Sequence, residues 1–162
     1  MGRPALRVVP HPHDPAARPE PTVTFCGHCG SHADVIAAPE SRVCGQCRLG
    51  LLLQSAASSA PRPGDAFVIV DRSLSIGGLS NAAESLLCAP EIEVVNRHLT
   101  ELLVPAEAEA DGRPELAVAI AWAARDAVGS TVVVRPTRTF GIRLRARIGS
   151  CGPPRAALLV LE

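Results

Sequence analysis

Residues 64–162 change from short apolar runs to helical spacing and back again, a pattern that predicts the elements of one domain. Two apolar runs separated by a polar turn predict a first pair of strands, AFVIVD (66–71) and LSIGGLS (74–80). Helical spacing follows, with RPELAVAIAWAARDAV (113–128) as the longest predicted helix. Three further runs predict the closing strands: STVVVRPT, TFGIRLRARIG and RAALLVLE. This order predicts an α+β fold with a five-stranded antiparallel sheet and flanking helices.

The predicted strand TFGIRLRARIG alternates more regularly than the others, so its two faces can be assigned. The apolar face carries Ile142, Leu144, Ala146 and Ile148, and the opposite face carries Arg143, Arg145 and Arg147. A row of arginines in this setting is most often solvated or covered by a helix. The other interpretation is a surface that holds an acidic partner.

The first 63 residues differ in composition and predict three segments. Residues 1–21 carry six prolines, which is typical of a disordered lead-in. Residues 22–48 hold four cysteines, and we name them the four-cysteine module. Residues 49–63 begin with LGLLLQSAASSA, whose apolar residues and good helix formers predict a short helix before a linker at PRPG. We expect this Leu-rich helix to pack on the sheet or to pair with its copy in a dimer.

The four-cysteine module has the spacing of a metal site of the zinc-ribbon or treble-clef type, with two Cys-x-x-Cys pairs. Its cysteines are Cys26, Cys29, Cys44 and Cys47. Four thiolates close a tetrahedron around Zn²⁺, and each two-residue gap lets the backbone turn so that both sulfurs face one ion. Because a segment of this length cannot bury a core of its own, metal binding would supply its folding energy. The spacing therefore predicts structural zinc, although rubredoxin-like iron uses the same ligands.

The sequence also predicts roles for three glycines of the module and for the two remaining cysteines. Gly27, Gly30 and Gly45 are expected to allow the turns beside the cysteines. Cys88 and Cys151 lie outside the array, and both are expected to be buried free thiols.

Charge and hydropathy exclude several classes of partner. Sixteen basic residues balance sixteen acidic ones, so the net charge gives no general attraction to nucleic acid or to an anionic membrane. No apolar run approaches the roughly 20 residues that span a bilayer. The N-terminus also has no apolar stretch typical of a signal peptide. We therefore expect the cytoplasm, where cysteine pairs more often bind metal than form structural disulfides.

The passage DAFVIVDRSLSIGGLSNAAESLLCAPEIEVVNRHLTELL resembles the N-terminal signature of the PAS domain family. It has a hydrophobic strand that ends in Asp, a turn, an Ile-containing strand, a helix that ends in Leu-Leu, and an Arg-His-Leu-x-x-Leu-Leu segment. The resemblance covers residues 65–162, about the length of one such domain. It implies the five-stranded sheet predicted above, a sensory or protein-interaction role, and in many members dimerisation.

The resemblance also implies a place for a small ligand, and the candidate pocket residues are Asn81, Trp122, Ile142 and Leu144. Other interpretations compete with this one: Asn81 as a helix cap, and Trp122 as a core residue. In the light-sensing flavin members that the resemblance brings in, a cysteine lies in the segment occupied here by VNRHLTELL, which has none, so covalent flavin chemistry is disfavoured. Haem is disfavoured because the long helix contains no histidine.

The chain contains no nucleophile triad and no phosphate-binding loop, so we expect a regulatory protein without catalysis. Its output would pass through a homodimer or a signalling partner. The alternative is a transcription regulator whose zinc module contacts DNA, which is disfavoured because residues 22–60 hold few cations. An enzymatic alternative is thiol redox chemistry, which predicts a cycling disulfide in place of zinc.

Overall fold

The computed structural model describes residues 20–32, 41–106, 115–125 and 129–162. Most of the predicted lead-in, residues 1–19, and both ends of the longest predicted helix therefore lie outside the described residues. The strands are β1 (Thr22–Cys26), β2 (Leu52–Ala56), β3 (Ala66–Val70), β4 (Ile76–Leu79), β5 (Leu103–Pro105), β6 (Ser130–Pro136), β7 (Leu144–Gly152) and β8 (Ala156–Leu161). The helices are α1 (Asn81–Leu87), α2 (Glu91–Val94), a 3₁₀ turn (Leu99–Glu101) and α3 (Glu115–Ala123).

The strands form one antiparallel sheet, which confirms the α+β class and the order of elements predicted for residues 64–162. The main path is β1-β2-β7-β8-β3-β4, and β6 pairs with both β5 and β7. The count of five strands is wrong, because eight strands of the described residues join the sheet. The five predicted strands are β3, β4, β6, β7 and β8, and the additions are the short β5 and the β1–β2 hairpin.

Strand β7 explains how the hairpin joins the sheet. The β6 pairing reaches Ile148 of β7, which lies opposite Ser130. Beyond that point β2 takes the place of β6 and pairs Ser55 with Cys151. Because the two ends of β7 have different partners on the same side, the four-cysteine module is hydrogen-bonded into the domain's sheet.

The predicted helix at residues 49–60 is wrong, because this stretch contains strand β2. Leu53 and Ser55 are buried while Gln54 between them is exposed, which is the alternation of a strand. Intrinsic helix propensity is a weak preference and is overridden here by hydrogen bonds to β1 on one side and β7 on the other. Among the leucines of this segment, Leu53 is buried against the sheet, whereas Leu49 and Leu51 are exposed.

Two apolar clusters lie on opposite faces of the sheet, because side chains alternate along each strand. The larger cluster joins the inner face to the helices, for example through Val68, Ile120 and Leu159. The smaller cluster lies between the outer face and the β1–β2 hairpin. At its centre the rings of Phe25 and Phe67 meet edge to face, with centroids 5.8 Å apart. The hairpin therefore covers part of the outer face of the sheet.

Ser80 connects the first two strands of the domain to helix α1. Its Oγ accepts hydrogen bonds from the N–H groups of Phe67 and Ala83, and it donates to the carbonyl of Asp65. It is the N-cap of α1. The interpretation of Asn81 as the helix cap is therefore wrong, because Asn81 is the first residue of the helix and is exposed.

Candidate metal centre

The four cysteines of the module come together at one point. Cys26 lies at the end of β1, and a loop that includes the second pair leads to β2. All four Sγ atoms lie within 4.8 Å of one another. Two of the sulfur pairs are 3.5 Å and 3.9 Å apart, Cys26–Cys47 and Cys29–Cys44 respectively. A tetrahedral Zn²⁺ with Zn–S bonds of about 2.3 Å requires S–S distances of about 3.8 Å. The four thiols can therefore hold one metal ion such as zinc.

Donors around the sulfurs also suit thiolate ligands. The N–H groups of His28 and Cys29 point to the Cys26 sulfur at 3.4 and 3.5 Å, and Gly50 N–H points to the Cys47 sulfur at 3.5 Å. The Ser31 hydroxyl lies 3.0 Å from the sulfur of Cys29. Such contacts orient metal ligands and stabilise their charge.

The pKa values of the thiols differ with their surroundings. Burial raises the pKa of Cys26 to about 12. Burial also raises the pKa of Cys44, but hydrogen bonds from the Cys47 backbone and from Ser31 outweigh it and bring that pKa down to about 6. The Gly50 N–H lowers the pKa of Cys47. Two thiols are thus disposed to ionise, while the buried Cys26 needs a nearby cation, which a bound metal provides.

Gly50 allows the two cysteine pairs to approach each other. A Cβ at this position would lie 2.3 Å from the Cys26 sulfur and 2.8 Å from the backbone nitrogen of His28. Gly30 has the positive φ of 72° that favours glycine, as predicted, whereas a Cβ at Gly45 would meet nothing within 4 Å. Gly50 was not among the residues predicted from the sequence, although its position three residues after Cys47 is a visible signal.

The module is also hydrogen-bonded to the helical side of the domain. The carbonyl of His28, between the first two cysteines, accepts from the N–H of Asn81 at the start of α1, at 3.1 Å. The imidazole of His28 lies 4.0 Å from a carboxylate oxygen of Glu91 in α2. His32 bonds the carbonyl of Pro61 through Nε2 at 2.7 Å. The four-cysteine module therefore contacts α1, α2 and the segment that follows β2.

The four candidate pocket residues have different environments. Asn81 is exposed, and Leu144 is buried in the core. Trp122 lies on α3 with 60% of its surface exposed, so the expectation that it packs in the core is wrong. Ile142 lines a different surface groove, beside Phe140. A ligand pocket shared by these four residues stays a prediction.

The two cysteines outside the module have opposite environments. Cys151 is buried in β7, as expected, and burial raises its pKa to about 12. Cys88 is exposed at the C-cap of α1, with a positive φ of 50°, so the expectation of burial is wrong there. The helix ends at Cys88, which places its side chain beyond the apolar face that Leu87 buries.

Comparison with known proteins adds little to these observations. No family model matches the sequence, and no curated protein matches it. Among solved structures, the chain is similar to the crystal structure of the PAS domain of nitrogen regulation protein NR(II) from Vibrio parahaemolyticus. The match has 18% sequence identity and a TM-score of 0.41, and it covers 61% of this chain and 88% of that chain.

Among the described residues, no helix combines the length and the apolar character needed to cross a membrane.

Proposed function

We propose that this chain is a non-catalytic signalling or regulatory protein, in which a PAS-type sensing or interaction domain is braced by a structural zinc site. The observation that carries the proposal is the convergence of four cysteine sulfurs within 4.8 Å in a module that shares the domain's sheet. The order of elements in residues 64–162 and the signature in the sequence support the PAS-type assignment.

The chemistry of the four thiols favours a structural role for the metal. A site with four protein ligands is closed, whereas catalytic zinc sites keep one position for water or substrate. The buried Cys26 and the N–H donors around the sulfurs make the site a fixed one. A metal held there would set the position of the hairpin on the outer face of the sheet.

Zinc would thus join parts of the domain that are distant in sequence. It would fix β1 and the start of β2, and through the His28 carbonyl it would fix the start of α1. A sensory domain transmits a signal by changing contacts with a partner or with its own copy. We propose that the signal passes to a second copy of the chain in a homodimer or to a signalling partner, in the cytoplasm.

The alternative role, a transcription regulator that contacts DNA through the zinc module, required a helix after the second cysteine pair. The described residues have strand β2 there instead. A major-groove reader needs a helix or a β-ribbon with cationic side chains. The β1–β2 ribbon uses Phe25 and Leu53 to pack on the domain, which leaves these side chains unable to read bases.

Native mass spectrometry of the full chain, purified without added metal, tests the proposal. We expect one zinc ion per chain, and removal of the zinc by a chelator should lower the melting temperature. The variant Cys47→Ser should lose the ion, whereas the matched control Cys88→Ser should keep it, because Cys88 lies outside the cluster.

Other outcomes of the same measurement contradict the proposal. One bound iron ion, together with a thiolate-to-iron charge-transfer absorption, would indicate a rubredoxin-like iron centre instead of a zinc site. A metal-free chain that is lighter by the mass of two hydrogens, and that a thiol reagent restores, would indicate redox chemistry instead. A retained organic molecule, by contrast, would agree with the proposed sensing role and would identify the ligand.

A further inference from the structure

Beyond the β1–β2 hairpin, the outer face of the sheet changes from apolar to cationic. Strands β6 and β7 and the residue before β7 place Arg135, Arg143, Arg145 and Arg147 there, and we name these four the arginine face. The residues that alternate with them, such as Val134, Leu144 and Ala146, are buried in the inner core. Because side chains alternate across a strand, all four arginines project to the outer side.

The positive charge of this face is only partly balanced. Arg147 contacts the carboxylate of Glu162 at 3.2 Å and donates to the carbonyl of Ser58 at 2.6 Å. Arg143 and Arg145 are exposed, and neither forms a hydrogen bond or an ion pair through its side chain with any residue that the structure describes. The guanidinium groups of Arg143 and Arg145, two residues apart in the chain, are therefore available to a ligand.

A groove lined by both apolar and polar residues adjoins the arginine face at the turn between β6 and β7. The groove has a volume of about 470 Å³ and is lined by Phe140, Ile142 and Arg143, among others. The Phe140 side chain is fully exposed. Thr139 Oγ1 is buried and has no hydrogen-bond partner among the described residues. Arginine beside an exposed aromatic ring is the composition that is enriched at protein–protein interfaces.

We propose that the arginine face binds an extended acidic segment of a partner protein, and that the groove receives an apolar side chain of that segment. Alternate residues of an extended chain are about 6.6 Å apart, so carboxylates at alternate positions have the same spacing as Arg143 and Arg145. Each guanidinium can bind a carboxylate through two parallel hydrogen bonds.

A protein partner suits the site better than a nucleic acid does. The chain has a net charge of zero, so it lacks the broad positive field that supplies most of the affinity for phosphate backbones. The inference rests on the proposed function only for the existence of a partner, and it specifies the chemistry of that partner.

The test uses the zinc-loaded full chain and a fluorescein-labelled peptide, Glu-Val-Glu-Phe-Glu-Val-Glu, in an anisotropy titration at low salt. We expect binding that weakens as salt screens the charges. Single changes Arg143→Gln and Arg145→Gln should each weaken binding about tenfold, and the double variant about 100-fold. The matched control Arg72→Gln, in the exposed turn after β3, should leave affinity unchanged.

A second double variant and a second probe make the result decisive. Replacing both arginines by Lys keeps the charge but removes the planar fork, so intermediate affinity is expected. The proposal is overturned by absence of peptide binding, by equal weakening in Arg72→Gln, or by an oligothymidine probe that binds as tightly as the peptide. Zinc content is measured on the same samples, so loss of peptide binding is separable from failure of the metal site.

Discussion

The substitution Gly50→Ala should disrupt the candidate metal centre without replacing any of its four cysteines. The new Cβ would lie 2.3 Å from the Cys26 sulfur and 2.8 Å from both the Cβ and the backbone nitrogen of His28. Ordinary carbon contacts are about 3.5–4.0 Å, so the two cysteine pairs would have to separate by roughly 1 Å. Metal–ligand distances tolerate deviations of only about 0.2 Å.

The size of the effect follows from what has to move. The obstacle includes the backbone of His28, whose carbonyl is bonded to helix α1, so the strain cannot be relieved by one side chain. Overpacking of this kind costs about 1–3 kcal/mol. Displaced or reoriented ligands lower metal affinity about 10–100-fold. We therefore expect weaker zinc binding and a lower melting temperature together.

A competition titration against a chromophoric chelator measures the zinc affinity, and calorimetry measures the melting temperature. Gly45→Ala is the matched control, because it lies in the second cysteine pair and a Cβ there meets nothing within 4 Å. If Gly50→Ala holds zinc as tightly as the Gly45→Ala variant and the unmodified chain, the steric reasoning is wrong.

Three further predictions follow from burial and hydrogen bonding. Leu53→Ala should lower the free energy of unfolding by about 2–5 kcal/mol, because Leu53 is 6% exposed. Leu49→Ala, at a position that is 73% exposed, should change that free energy by less than about 0.5 kcal/mol. Urea titrations measure both values. Ser80→Ala should cost about 1–3 kcal/mol because a cap and two other bonds are lost, and an unchanged urea midpoint would contradict this. In the zinc-loaded protein at pH 8, iodoacetamide should label the exposed Cys88 first and Cys151 only after unfolding. Burial raises the pKa of Cys151 to about 12, so its thiol stays protonated and unreactive. Equal labelling rates for the two cysteines would refute this.

The strands and helices of residues 64–162 could be predicted because their signals are local. The regular alternation around Leu144 and Ala146 assigned the faces of β7, and the structure places its apolar side chains inwards and Arg143 and Arg145 outwards. The metal ligands were equally visible, since a pair of thiols separated by two residues needs no distant partner to suggest a metal.

Three residues, Trp122, Cys88 and Gly50, were wrongly predicted or missed because their residue types alone do not indicate their environments. Trp122 belongs to a helix that is apolar on every side, so composition alone gives no indication that the indole is exposed. Cys88 has the character of a buried residue, but it lies just past the last helical turn. Gly50 has no steric meaning until Cys26 and His28 are placed beside it.

The sequence by itself determined the four thiols of the metal centre and the order of the elements after residue 64, because short spacings and alternation are properties of the local chain. Only the tertiary structure decided that residues 52–56 form a strand, since that depends on the open edge of β7 beyond Ile148. The same pairing builds the four-cysteine module into the domain's sheet. Differences in helix propensity are less than about 1 kcal/mol per residue. They are outweighed by this hydrogen bonding and by the burial of Phe25 and Leu53.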